Sequence, residues 1–497
     1  MITFIIALVV LIVGYIVYGK IVEKIFGIDS KRTTPALSMT DGVDYVPMKP
    51  WRIFMIQFLN IAGLGPIFGA IMGAKFGTAS FLWIVFGSIF AGGVHDFLSG
   101  MLSLRMNGAS LPEIHGKYLG NTVKQIMRGF MVILMVLVGV VFVVGPAGLL
   151  ADITPDFLTT TFWIIIILCY YLIATLLPID KLIGRIYPFF GACLIFMALG
   201  ILVAIFIHHP PLPEIWEGLG NKHPHAESNP LFPMMFISIA CGAISGFHAT
   251  QSPLMARTMT NEKQGRPIFY GAMILEGVIA LIWAAAASYF FFDTQQGQAF
   301  FQTGTNATVV VKDIANEWLN VLGFHVNIGG TAHYITIGVI LAILGVVFAP
   351  ITSGDTALRS ARLIVADFLH LDQKPILKRL LIAIPLFLVT FGVLMFSLKD
   401  KDGFELIWRY FAWANQTLAV FTLWAITVYL TQKHKPFIIT LLPALFMTMV
   451  CTSFLLISKD CFGLPPLVSY IISSAITATT LIWFFVWKKK FTRRIEN

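Results

Sequence analysis

Two runs of small residues interrupt segments that are otherwise apolar enough to cross a bilayer: residues 60–69 read NIAGLGPIFG and residues 241–253 read CGAISGFHATQSP. The bilayer core offers no water to backbone N–H and C=O groups, so non-helical chain at that depth survives only where protein or a wet cavity satisfies it. Gly63, Gly65 and Pro66 in the first run, and Gly242, Gly246 and Pro253 in the second, are poor helix formers that leave backbone groups available. Broken helices of this kind hold cargo in transporters. Small residues also let helices pack closely, and for one run alone the two readings stand level; a second run at a matching place in the other half of the chain favours the broken helix.

The surrounding chain is 57% hydrophobic and only 12% charged over 497 residues, outside the range of ordinary soluble domains. Windows long enough for a hydrocarbon core of about 30 Å fall near 2–25, 54–74, 77–102, 129–150, 160–178, 187–207, 231–255, 268–292, 333–352, 379–397, 404–430, 437–457 and 464–487. The expectation is an all-α polytopic membrane protein with about thirteen transmembrane helices. The loops between are too short for a soluble domain, including the two longest, about 208–230 and about 293–332.

Lys and Arg alternate between loops. One set carries Lys31, Arg32, Lys49 and Arg52, then Arg105, Lys117, Lys124 and Arg128, then Lys181 and Arg185, and continues to the tail from Lys488 to Arg494; the other carries few, such as Lys75, Lys222 and Lys312. The positive-inside rule then puts the N-terminus outside and the C-terminus in the cytoplasm. This asymmetry accounts for the net charge of +9, with no concentrated basic patch for nucleic acid. The first apolar segment has no basic n-region or cleavage pattern and reads as a retained helix. Five cysteines without paired spacing suggest neither disulfides nor a metal cluster. The spacing of His208, His209, His223 and His225 matches no metal-binding pattern, and Asn306–Thr308 is a sequon relevant only to a secretory pathway.

The interrupted segments are the second and seventh, five apart and opposite in direction by the charge pattern. That is the arrangement of two inverted five-helix repeats. The expected organisation is an accessory N-terminal helix (1–28), a ten-helix core (29–430, its repeats 29–230 and 231–430), and two C-terminal accessory helices with a basic tail (431–497).

Around the ninth span the chain reads FAPITSGDTALRSARLIVAD from Phe348 to Asp367. Its hydroxyls suit a hard monovalent cation, and Asp355 is a candidate proton carrier. The structural alternative has Thr352 and Ser353 bonding backbone carbonyls while Asp355 opens the cytoplasmic segment and pairs with Arg359. No HExxH, GxSxG or paired-carboxylate signature argues for an enzyme.

The stretches LNIAGLGPIFGAIMGAKFG (59–77), GGVHDFLSGMLSLRMNG (92–108), FISIACGAISGFHATQSPLMAR (236–257), APITSGDTALRSARLIVAD (349–367) and IWRYFAWANQTLA (407–419) resemble the carbon starvation protein A family. The resemblance implies a bacterial inner-membrane transporter that takes up peptides, and in some members pyruvate by proton symport, during carbon starvation. The chain is similar to the shorter members, without a long C-terminal extension, which leaves the substrate open. The family is grouped with the amino acid, polyamine and organocation transporters, implying a five-plus-five inverted-repeat (LeuT-like) core with two broken helices. In sodium-coupled relatives a cation sits between carbonyls of the first broken helix and an AxxTS motif; here the motif falls on Ala349, Thr352 and Ser353, and the carbonyls on Leu59 and Ala62.

For a carboxylate-bearing cargo, the resemblance points to the half-helix starts at Gly63, Leu64 and Gly65 and at Ala243, Ile244, Ser245 and Gly246, whose N–H groups and dipoles favour an anion. Asn60, Ser245, His248 and Gln251 are side-chain candidates. His248 is a candidate for proton exchange, since histidine is the side-chain type suited to it around neutral pH, or is a packing histidine. His95, Asp96 and Glu276 are further proton-coupling candidates, each against a structural pairing such as Asp96 with Arg105. The run from Trp408 to Gln416 reads as a gate lining or an aromatic interface belt. The expected function is cation-coupled, proton-driven import of peptides or pyruvate, with no cofactor beyond a coupling H+ or Na+, no resident metal, and a small molecule and the bilayer as partners. The alternatives are a sodium-coupled symporter of another organic acid or amino acid, and a membrane nutrient sensor.

Overall fold

The computed structural model describes all residues except 178–182, 304–306, 308–309, 312, 315–322, 329–330, 400–402 and 497. The sequon at Asn306–Thr308 and the loop cations Lys181 and Lys312 therefore lie outside the described residues. The helices that matter here are α1 (Ile2–Phe26), α2 (Pro50–Ile61), α3 (Gly65–Ala74), α4 (Ala79–Arg105), α5 (Asn121–Ile153), α6 (Thr160–Leu176), α7 (Ile183–His208), α8 (Leu231–Ile239), α9 (Gly246–Ala256), α10 (Glu262–Asp293), α11 (Ile337–Leu369), α12 (Ile376–Lys399), α13 (Gly403–Gln432), α14 (Ile438–Ile457) and α15 (Pro466–Glu496). Among the described residues, ten helical segments are long and apolar enough to cross a membrane, with α8 and α9 counted together, and the bent pair α2 and α3 makes an eleventh. The two remaining windows hold α6, apolar but only 17 residues long, and α11.

One stretch departs from the all-helical expectation. Strands β1 (Gly323–Ile328) and β2 (Thr331–Thr336) pair antiparallel, with Gly323 opposite Thr336. They lie across the segment read as loop, and the ninth helix starts at Ile337 rather than 333. It then runs on to Leu369, so Asp355 stands mid-helix instead of opening a cytoplasmic segment.

Local chemistry sets the ends and bends. Gly27 closes α1 with φ 68°, its N–H bonding the Glu23 carbonyl, and Pro50 opens α2 where its missing N–H costs nothing. Between Ile61 and Gly65 the helix breaks, and the axes on either side differ by 51°. The second break follows Ile239: Ala240 takes φ 40° and ψ −108°, Ser245 is extended, and α9 starts afresh at Gly246.

The perimeter helices α1, α12 and α15 turn most apolar side chains outward, whereas α10 is largely enclosed. Polar residues gather on the enclosed helices, where an ionisable group in a membrane finds partners.

Candidate functional site

The two breaks meet. A Cβ on Gly65 would fall 2.4 Å from Cys241 Cβ, and one on Gly69 would fall 2.6 Å from the Ile239 carbonyl oxygen. A helix side passes equally close: α4 widens into a π turn over Gly87–Gly92, and a Cβ on Gly92 would sit 2.3 Å from the Ala243 carbonyl oxygen. Two of the carbonyls at these irregularities are bonded by side chains: Ser88 Oγ donates to the Gly242 carbonyl at 3.1 Å and Tyr270 Oη to the Ile89 carbonyl at 2.7 Å.

The first break packs on α11 at the AxxTS motif. Ser353 Oγ donates to the Leu59 carbonyl at 3.1 Å and to the Ala349 carbonyl at 3.0 Å, and Thr352 Oγ1 donates to Ala349 at 2.7 Å. Leu59, Ala349, Thr352 and Ser353 are thus drawn together, with Ala62 buried at the end of α2. Gly63 keeps α11 close, as its Cβ would lie 3.0 Å from Ser353 Oγ. Asn60 turns the same way: Oδ1 accepts from Thr356 Oγ1 at 3.2 Å, while Nδ2 has no partner among the described residues. Thr356, one helical turn beyond Thr352, is a neighbour that the motif does not include.

At the second break His248, on α9, joins three helices. Its Nδ1 lies 2.8 Å from Asp96 Oδ2, and Asp96 Oδ1 lies 2.7 Å from His95 Nδ1, both on α4. On the other side of the ring, His248 Nε2 is 3.3 Å from Glu276 Oε2 of α10. All four side chains are fully buried. Four separate proton-coupling candidates form one chain, His95, Asp96, His248, Glu276. With Asp96 ionised, both Nδ1 atoms must carry hydrogen to donate to it, and His248 Nε2 and the Glu276 carboxyl are left facing each other, neither with a hydrogen-bond partner among the described residues. Asp96 is therefore held by histidines and not by Arg105, whose guanidinium instead binds Glu262 at 2.8 Å.

The start of α9 is engaged from α13. Asn415 Oδ1 accepts the Phe247 N–H at 2.6 Å and the Ser245 hydroxyl at 3.0 Å, and Gln416 Nε2 donates to the Ile244 carbonyl at 3.0 Å. Of the cargo candidates, Ala243, Ile244, Ser245 and Gly246 lie at this junction; Leu64 and Gly65 lie across from it on the first break, and Gln251, further along α9, bonds Thr250 through Nε2 while its Oε1 has no partner among the described residues. The Trp408–Gln416 run divides: Asn415 and Gln416 face the break, while Trp413 Nε1 bonds the Cys451 carbonyl on α14 and Arg409 pairs with Asp460 at 2.8 Å.

Asp355 stands apart from this chain, accepting from Tyr187 Oη, which also donates to the Thr352 carbonyl at 3.0 Å. The expected pairing with Arg359 does not form. Arg359 reaches Asp44, in the segment before α2, at 3.2 Å, because the two residues of α11 point to different neighbours. No group of three His, Cys, Asp or Glu side chains that could hold a metal ion occurs among the described residues.

A multi-pass helical protein with two broken helices meeting over a buried ionisable chain is of the membrane-transporter class. Within it, this chain belongs to a defined family: the family model described as carbon starvation protein CstA matches residues 1–154, 150–330 and 323–454. An uncharacterized membrane protein of Haemophilus influenzae is 44% identical across 61% of this chain and 95% of its own length. The peptide transporter CstA of Campylobacter jejuni is 26% identical across 88% of this chain and 77% of its own, and the pyruvate/proton symporter BtsT of Escherichia coli is 29% identical across 56% and 48% respectively. Among solved structures, an Eremococcus coleocola manganese transporter in complex with an aromatic bis-isothiourea compound superposes with a TM-score of 0.55, covering 92% of this chain and 99% of that one at 13% identity, a likeness of fold alone.

Proposed function

We propose that this chain is a bacterial inner-membrane importer of small carboxylate-bearing nutrients, peptides or pyruvate, driven by proton symport through a five-plus-five inverted-repeat core. The observation that carries the reading is the buried chain His95, Asp96, His248 and Glu276, which brings the half-helix α9 against α4 and α10 and sets His248 and Glu276 within reach for proton transfer. Movement of α9 during alternating access changes the 3.3 Å separation of His248 and Glu276, so release of the proton and movement of the break are one event. The names of the relatives agree with this cargo class and with this driving ion. A second reading, sodium coupling, draws on the approach of Ser353 to the Leu59 carbonyl of the first break, whereas the bonds of Thr352 and Ser353 to the Ala349 carbonyl are those of the structural alternative.

Uptake of labelled pyruvate and of a labelled dipeptide into proteoliposomes, under separately imposed proton and sodium gradients, tests both. Accumulation under a proton gradient alone supports the first reading, accumulation under sodium alone the second, and accumulation of neither cargo removes both.

A further inference from the structure

Asn415 sits on α13 yet performs the work of a cap for α9. Its Oδ1 takes the Phe247 N–H at 2.6 Å and the Ser245 hydroxyl at 3.0 Å, and its Nδ2 points to Cys241 Sγ at 3.2 Å. The adjoining Gln416 bonds the Ile244 carbonyl, and its Oε1, fully buried, has no partner among the described residues. Gly246 is what lets α13 come so near: a Cβ there would meet the Asn415 carbonyl oxygen at 2.4 Å and the Ala419 nitrogen at 2.5 Å.

We propose that Asn415 is a built-in stand-in for the cargo's carboxylate, filling the α9 half-helix start until a carboxylate-bearing cargo displaces it and so releases α13 from the break. The inference rests on the carboxylate-cargo reading above. An amide oxygen and a carboxylate oxygen are the same kind of acceptor, but the charged one makes the stronger hydrogen bonds and gains from the dipole of the half-helix. The exchange therefore runs toward cargo when cargo is present and back to Asn415 when it leaves. Because the stand-in belongs to a different helix, loading of the site is sensed by α13 directly. This gives Asn415 a part in specificity: a cargo lacking a carboxylate has only neutral groups with which to compete.

Two substitutions move in opposite directions. Asn415→Ala removes the competitor and is expected to lower the KM for pyruvate or alanyl-alanine by roughly 3- to 10-fold, the worth of a neutral hydrogen bond. Asn415→Asp keeps the acceptor and hence the fold, but installs a permanent carboxylate, and is expected to raise KM by roughly tenfold or more. A merely structural staple would lower the maximal rate in both variants without this split, and that result overturns the proposal. Protection of the detergent-purified protein against thermal unfolding by pyruvate and by alanyl-alanine separates this inference from the transport reading. If wild-type vesicles accumulate neither cargo, the transport reading falls, while protection that strengthens in Asn415→Ala and vanishes in Asn415→Asp still establishes the stand-in. Protection that is equal in all three proteins, or absent from all three, overturns it.

Discussion

Glu276 Oε2 and His248 Nε2 face each other across 3.3 Å, and the other histidine–carboxylate contacts of the chain are fixed by Asp96 accepting from both rings. Glu276→Gln retains the shape of the side chain and removes the place the proton goes. The expected result is loss of accumulation driven by a proton gradient, a coupling worth roughly 5- to 150-fold, with cargo counterflow preserved; equal loss of both would make Glu276 a structural residue. Thr352→Ala with Ser353→Ala is expected to abolish any sodium-driven component of uptake while the protein still reaches the membrane, and full sodium-driven uptake by a normally expressed double variant removes the cation site. The sequence marks His95, Asp96, His248 and Glu276 individually, because a titratable residue in an apolar window is conspicuous. It does not reveal that they touch, since 152 residues separate His248 from Asp96. Asn415 carries no charge and lies in a run rich in aromatics, so only its place against α9 distinguishes it from an ordinary helix-facing amide.

At the scale of the element, the breaks depend on glycine for contact rather than for flexibility alone. Gly246→Ala would drive a methyl group into the backbone of α13, an overpacking penalty of about 1–3 kcal/mol. Backbone has little freedom to yield, so the expected outcome is a lower melting temperature together with weakened capping at Phe247. A melting curve and uptake indistinguishable from wild type would show that the contact relaxes freely. The breaks were legible as Gly and Pro clusters, whereas the length of α11 was not: GDTALRSARL looks like the start of a solvated segment, but the buried Thr356, Arg359 and Arg362 are accommodated by neighbours the local sequence does not contain.

Across the whole molecule, Asp44 ties the segment leading into the first broken helix to α11, far along the chain. Burial pushes its carboxyl upward, yet Arg359, Arg362 and Arg257 outweigh that effect and hold it below the usual carboxylate range. The unfolded chain therefore binds the proton first as pH falls, and this contribution to stability is present above the ordinary Asp range and lost as pH drops through the depressed value. Melting temperature measured down an acid series should decline through that window, and Asp44→Asn should flatten the decline. It should also destabilise the protein at neutral pH by about 3–5 kcal/mol, because Arg359 stays buried without its carboxylate. An acid series unchanged by the substitution would dissociate Asp44 from the effect. The charge alternation along the sequence identifies these arginines as loop-flanking cations, which is their most common role near membranes, and gives no sign that all three are buried.

The π turn at Gly87–Gly92 carries one residue more than a regular α turn, and His95 and Asp96 come immediately after it. Each added residue rotates the following side chains by about 100° around the axis. The azimuth at which Asp96 finds His248 is thus recorded as a single inserted amino acid, and one codon deleted from this turn would leave α4 equally apolar and equally helical while steering Asp96 off the half-helix it now holds and carrying His95 round with it.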